Sequence, residues 1–120
     1  MDKLYIVIPA YNEEENIEAV VADWYPVAEM AGAESRLVIV DDGSKDSTYT
    51  KLEELAKGRP QLLPLHKENG GHGATVLFGY RYAIENGADY IFKTDSDGQT
   101  LPQEFAGFWE LRTGYDMVIG

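Results

Sequence analysis

Leu62-Leu63-Pro64-Leu65 is a short apolar run with a proline in its middle. Proline has no backbone N–H, so it is not found inside a ladder bonded on both sides. The run therefore predicts a strand at a sheet edge. The stretches before it are different. Leu4-Tyr5-Ile6-Val7-Ile8, ended by Pro9, and Leu37-Val38-Ile39-Val40 are nearly unbroken apolar runs. They suit parallel strands covered on both faces. Tyr90-Ile91-Phe92 predicts a fourth strand and Met117-Val118-Ile119 a fifth. With the third strand at the edge, the predicted order is 3-2-1-4, plus the fifth strand.

Helical patterns fill the gaps between these runs. Asn12 is positioned to cap the first helix, with Glu15 three residues on to close a capping box. Ile17, Val20, Val21, Trp24, Ala28 and Ala31 recur at helical spacing and predict a core-facing stripe. Pro26 should kink that helix or end it early, and Gly32 is the expected stop. A second helix is expected from about Ser47, with Leu52, Leu55 and Ala56 inward and Gly58 as its stop. After a polar loop over 66–73, a third helix is expected to Glu85, with Leu77, Tyr80 or Arg81, and Ile84 on its inner side. Pro102 opens a fourth, with Phe105, Phe108, Trp109 and Leu111 as its apolar set. Strands alternating with helices imply an α/β fold of three layers, αβα, with right-handed crossovers and a mostly parallel sheet.

The chain has 120 residues, 44% of them hydrophobic, enough for one domain with one core. Its formal net charge is -11. That excludes nucleic acid as the main partner, because phosphate backbones need a basic surface. An anionic ligand would need a metal ion or backbone amides. There is no cysteine, so disulfides and thiolate metal sites are excluded. Residues 1–8 show no basic leader and no long apolar run, and no stretch approaches the ~20 apolar residues of a membrane span. The expected compartment is the cytoplasm.

In an open α/β sheet, ligands bind outside the carboxyl ends of the strands, where the strand order reverses. In the order 3-2-1-4 that point lies between strands one and four. Pro9 to Glu13, Asp41 to Ser44, and Asp95 to Gln99 all fall on that rim. Asp95 and Asp97 are two acids one residue apart, and they repel unless a cation or sugar hydroxyls compensate them. A hard divalent cation takes oxygen ligands, often only one or two of them protein carboxylates. The competing reading of Asp-x-Asp-Gly is an acidic turn that caps the next helix. Asp42 has two readings too: an acceptor for a base or ribose, or a turn residue in Asp-Gly-Ser. It is expected at the rim, where its loss would spare the fold. His66 to Gly73 is neither a Walker loop nor a Gly-x-Gly-x-x-Gly fingerprint. Its amides could approach a phosphate at the following helix start. His72 is read as a loop or supporting residue. An EF-hand fails because Thr100 replaces the required glycine.

Four segments together carry a resemblance. They are Ile-Val-Ile-Pro-Ala-Tyr-Asn-Glu-Glu at 6–14, Val-Ile-Val-Asp-Asp-Gly-Ser at 38–44, Asn-x-Gly-x-Gly at 69–73 and Thr-Asp-Ser-Asp-Gly-Gln at 94–99. In this order and spacing the chain resembles glycosyltransferase family 2, inverting enzymes with the GT-A nucleotide-diphospho-sugar transferase fold. The Asp-Gly-Gln ending with a following proline is most like the polyprenyl- or dolichyl-phosphate sugar transferases. The resemblance implies that Pro9, Ala10 and Tyr11 line a base pocket, with Glu13 near the ribose. It implies that Asp42 contacts the base, Asp95 the ribose or sugar, and that Asp97 ligates Mg2+ or Mn2+. It further implies a UDP- or GDP-sugar as donor, a lipid-phosphate or saccharide acceptor, and a membrane-associated longer enzyme. Family members are longer than this chain, so residues 1–120 are expected to be the donor-binding half, inactive alone, with the acceptor half missing. The glycine loop departs from the family, where basic residues are common in places held here by Gly70 and His72. Two alternatives stay open: a sugar-phosphate nucleotidyltransferase, and a non-enzymatic receiver-like signalling domain with an acidic pair.

Overall fold

The computed structural model describes residues 3–95. The expected fourth helix, the fifth strand and Asp97 lie outside the described residues. Four parallel strands, β1 (Leu4–Ala10), β2 (Arg36–Asp42), β3 (Leu62–Lys67) and β4 (Tyr90–Lys93), form one sheet in the order β3-β2-β1-β4. Helices α1 (Ile17–Ala31) and α2 (Thr48–Ala56) pack on one face and α3 (His72–Glu85) on the other. The predicted order is thus observed. A receiver-type sheet, ordered 2-1-3-4-5, would put strand three beside strand one. Here β1 lies between β2 and β4, and the acidic pair ends β2, so that alternative is overturned.

Register explains the prolines. The Gln61 carbonyl accepts from Leu37 on β2, and alternate residues of a strand share a side. The Pro64 nitrogen therefore faces the open edge, as expected. Pro9 was expected to end the first strand in a turn. Instead Pro9 and Ala10 stay in β1, opposite Val40 and Asp41. The reason is local. Val7 is the last β1 residue paired with β4, its carbonyl accepting from Thr94 at 3.1 Å. Pro9 faces that same side beyond the pairing, where no donor is needed.

Side chains alternate across the sheet. Leu4, Ile6, Ile8, Leu37 and Ile39 meet Ile17, Val21, Trp24, Ala28 and Leu52 from α1 and α2. Tyr5, Val7, Val38 and Val40 face α3. The predicted α1 stripe is buried, Ala31 only partly. Its start and its proline differ from expectation. Asn12 is no cap: it takes φ 51°, and the helix begins at Ile17 with no side-chain cap from Asn16. Asn12 and Glu15 form no capping box because Asn12 is drawn to Ser44 and Lys45 instead. Pro26 lies inside α1, which runs on to Ala31. Its exposed position is flanked by buried Trp24, Tyr25, Val27 and Ala28. Burying four such side chains outweighs the ~3 kcal/mol cost of an interior proline.

The inner face of α3 is the largest correction. Leu77 and Ile84 are 48% and 67% exposed, while Thr75, Gly79 and Ala83 are buried. The helix sits so close to the sheet that a Cβ on Gly79 would lie 2.5 Å from Val7 Cγ1 and 3.3 Å from Val40 Cγ2. Only small residues fit there. Gly79→Ala gains ~1 kcal/mol of helix propensity but overpacks a site bounded by two buried valines, at ~1–3 kcal/mol. A net loss of about 1 kcal/mol is expected in urea unfolding. An unchanged midpoint with an unchanged slope would show that α3 can lift without cost.

Candidate functional site

β2 delivers its two acids to opposite faces. Asp41 continues the α1–α2 face and is fully buried. Its Oδ2 accepts from Ser44 N at 3.3 Å and lies 2.7 Å from His66 Nδ1, while Oδ1 has no partner. Asp42 continues the α3 face and is 5% exposed, not the open rim residue that was expected. The register sets Asp41 opposite His66 and Asp42 opposite Lys67. His66 and Lys67 are therefore strand residues, and the expected loop over 66–73 shrinks to 68–71 before α3 begins at His72.

That short loop closes over Asp42. Oδ1 accepts from Lys67 Nζ at 2.9 Å and Gly70 N at 2.8 Å. Oδ2 accepts from Gly71 N at 3.0 Å, and Asn69 Nδ2 donates to the Asp42 carbonyl at 3.0 Å. Burial pushes the Asp42 carboxyl up, but the Lys67 ammonium, the Gly70 amide, the Thr75 hydroxyl and the Gly71 amide outweigh it and hold the carboxyl below its ordinary value. The Gly70 and Gly71 amides, a possible phosphate cradle on sequence grounds, point instead at this carboxylate.

A second clasp ties the end of β1 to the start of α2. Asn12 N donates to Ser44 Oγ at 2.9 Å, and Lys45 N donates to Asn12 Oδ1 at 2.9 Å. Glu13 N donates to Thr48 Oγ1 at 2.8 Å. The Asp-Gly-Ser turn thus serves as turn chemistry at Ser44. It also fixes the backbone of Tyr11 to Glu13.

Between the two clasps lies a cavity of about 500 Å3, lined by Pro9, Ala10, Tyr11, Glu13, Asp42 and Asp95, with Asn69, Gly71, His72 and Thr75. Pro9, Ala10, Tyr11, Glu13, Asp42 and Asp95, assigned to a site by the resemblance, are all brought to this one cavity, while Asp41, on the rim in the sequence reading, is buried on the other face. Asn69, Gly71 and His72 belong to the Asn-x-Gly-x-Gly segment, whose position before a helix start was the available signal. Thr75 had none: it lies one turn into α3 and is buried only because α3 approaches the sheet so closely.

At the β4 end, Lys93 Nζ lies 3.0 Å from Asp95 Oδ1, and His72 Nε2 lies 3.8 Å from the same oxygen. That oxygen is buried and has no partner of hydrogen-bond geometry, so the ion pair with Lys93 holds it by charge alone. Its charge is thus already compensated by Lys93, and a hard cation at this oxygen would have to displace that ammonium. Among the described residues no group of three or more His, Asp or Glu could hold a metal, so Asp95 would need Asp97, outside them, and ligands from substrate. Among the described residues no helix is long and apolar enough to cross a membrane.

A family model described as glycosyl transferase family 2 matches residues 5–120. The chain is 36% identical over 119 residues to the UDP-N-acetylglucosamine–dolichyl-phosphate N-acetylglucosaminyltransferase of Methanococcus voltae, covering 88% of this chain and 45% of that protein. It is 30% identical over 118 residues to the polyprenol monophosphomannose synthase of Mycolicibacterium smegmatis, covering 96% of this chain and 43% of that protein. The chain thus spans less than half the length of these curated relatives. Among solved structures, S. aureus TarS (residues 1–349) superposes with a TM-score of 0.71 at 20% identity, over 93% of this chain and 32% of that one. That likeness is one of fold.

Proposed function

The chain belongs to glycosyl transferase family 2, and from that premise we propose that its cavity is the nucleotide-sugar site of an inverting, metal-dependent hexosyltransferase. The observation that carries this reading is convergence. Pro9, Ala10, Tyr11, Glu13, Asp42 and Asp95 come from the ends of three different strands and line one cavity at the switch point between β1 and β4. Tyr11, 41% exposed, offers a ring for a base, and Asp42 offers an ionised acceptor for a base N–H. Glu13 and Asp95, on the same wall, would take ribose or sugar hydroxyls. The family assignment decides against the sugar-phosphate nucleotidyltransferase.

The cavity wall carries three acids, two of them already paired with Lys67 and Lys93, in a chain of net charge -11, so a nucleoside diphosphate finds no uncommitted cation on that wall among the described residues. Asp97 would hold Mg2+ or Mn2+, and such a cation would supply charge compensation for the departing diphosphate. The chain's own contribution is to fix the base and ribose between the two clasps, so that the sugar projects toward an acceptor. The acceptor we propose is a polyprenyl phosphate, as in the names of the two curated relatives. Such a phosphate is already ionised and needs no protein base. The longer enzyme would then work at the cytoplasmic face of a membrane, with residues 1–120 as its donor-binding half.

Calorimetry with UDP- and GDP-sugars tests this reading. Binding is expected with Mn2+ or Mg2+ and not with excess chelator, and Asp97→Ala should reproduce the chelator result. Equal affinity without metal would remove the cation from the site. Failure of every such donor to bind with Mn2+ present would remove the nucleotide-sugar reading itself.

A further inference from the structure

Neither Asp41 nor His66 lines the cavity, yet both are joined to its wall. Asp41 is fully buried, and its Oδ1 has no partner among the described residues. A buried carboxylate with one bare oxygen is stable only beside a countercharge. His66, whose side chain is 50% exposed, is the only basic side chain paired with Asp41 among the described residues, its Nδ1 2.7 Å from Oδ2. That is the length of a hydrogen bond with charge on both partners. From α2, Tyr49 packs on the His66 ring with centroids 5.0 Å apart. Burial pushes the Tyr49 phenol up, and Glu53 and Asp41 push it further, so it stays neutral where an imidazole titrates. β3 is the sheet edge, so no other strand among the described residues faces His66.

From Asp41 the contacts run to the cavity. The oxygen that meets His66 also accepts from Ser44 N at 3.3 Å. Ser44 Oγ accepts from Asn12 N at 2.9 Å, and Asn12 Oδ1 from Lys45 N at 2.9 Å. Asn12, at φ 51°, is the one non-glycine residue with positive φ among the described residues. A residue with a Cβ keeps that conformation only when its surroundings impose it. Its neighbours Tyr11 and Glu13 both line the cavity.

We propose that His66 is a positioning residue for donor binding: its imidazolium holds Asp41, and through Asp41 the Ser44 turn that fixes Asn12 between Tyr11 and Glu13. This rests on the nucleotide-sugar reading above. A neutral His66 still donates from Nδ1 but brings no charge. Asp41 then takes up a proton or swings its bare oxygen toward water, and either change weakens the bond from Ser44 N. The wall is firm while His66 is protonated, so affinity for nucleotide falls as pH rises through its titration.

The chain has two imidazoles, His66 and His72. In the full chain carrying His72→Gln, NMR titration from about pH 5 to 8 follows His66 alone. With no ligand present, the Asn12 and Ser44 amide resonances should shift with the midpoint of the His66 ring. Amides that do not follow the ring overturn the inference, whatever the chain binds. Calorimetry with UDP and GDP in the presence of Mg2+ then compares the wild type with His66→Gln at each pH. Titration of His72 and of the phosphates is common to both chains and cancels in the ratio of their affinities. The wild type should bind about fivefold or more tighter near pH 5, a modest coupling between two sites, and that advantage should shrink as pH rises. A ratio that stays constant with pH overturns the proposal, as does wild-type affinity in His66→Gln throughout. Should His66→Gln fail to fold, the amide titration, which needs no change at His66, decides. A chain whose amides follow the ring but which binds neither nucleotide overturns the nucleotide-sugar reading, and the donor role of His66 with it.

Discussion

Asp42→Ala is expected to destabilise the fold by about 3–5 kcal/mol, more than its place at the end of a strand suggests. Its carboxylate is the common acceptor for Lys67, Gly70 and Gly71. Alanine leaves the Lys67 ammonium, 15% exposed, with the Glu68 carbonyl as its remaining partner among the described residues. Removing one member of a buried ion pair costs ~3–5 kcal/mol, and the remaining carbonyl argues for the lower end. Two freed amides add ~1 kcal/mol each unless the loop opens to water. The loop at 68–71 carries part of the cavity wall, so nucleotide affinity should fall with it. Asp42→Asn, with the shape but not the charge, should fall between. The same carboxyl sets a pH dependence. Its pKa is lowered in the fold, so the folded state binds fewer protons than the unfolded one. Its stabilisation is therefore fully present above the ordinary carboxyl value of about 4 and lost as pH falls through the lowered folded value. Urea midpoints taken across the acid range should drop more steeply for the wild type than for Asp42→Asn. Parallel curves, or an Asp42→Ala variant as stable as wild type, would make the clasp energetically idle.

Gly43→Ala is expected to cost about 2–5 kcal/mol. Gly43 takes φ +66°, a left-handed conformation that costs a residue with a Cβ ~1–2 kcal/mol. Its space is also filled. A Cβ there would lie 2.5 Å from Asn69 N and 3.0 Å from Asn69 Cα. Backbone cannot rotate aside as a flexible side chain can, so Asn69 and the glycine loop must shift, at ~1–3 kcal/mol more. Gly87 supplies the control. It has φ +78° and only Lys3 Nζ at 3.7 Å, so Gly87→Ala pays the conformational cost without the clash. Chemical denaturation of both variants isolates the contact. Gly43→Ala should be the less stable of the two and should also weaken nucleotide binding, because Asn69 lines the cavity. Equal losses at the two glycines would show that the loop yields freely.

The order β3-β2-β1-β4 was legible from apolar runs and one proline, because both are properties of single segments. A strand buried on two faces must be apolar throughout, and Pro64 tolerates neighbours on one side only. Once the order was known, the rim position of Pro9 to Glu13, Asp42 and Asp95 followed from the chain's own sequence. The inward face of α3 did not. Hydrophobic periodicity favours Leu77 and Ile84, but the distance between helix and sheet is set by what meets Val7, and there only Gly79 fits. The partners of Asp42 were equally hidden. Lys67, Gly70 and Gly71 lie 25 to 29 residues away, and they reach it because the β2–β3 register sets Lys67 opposite Asp42 and the loop turns back at once. Asp-Gly-Ser reads the same whether its acid faces water or three buried donors. Burial and hydrogen-bond saturation arise between segments, and no single segment encodes them.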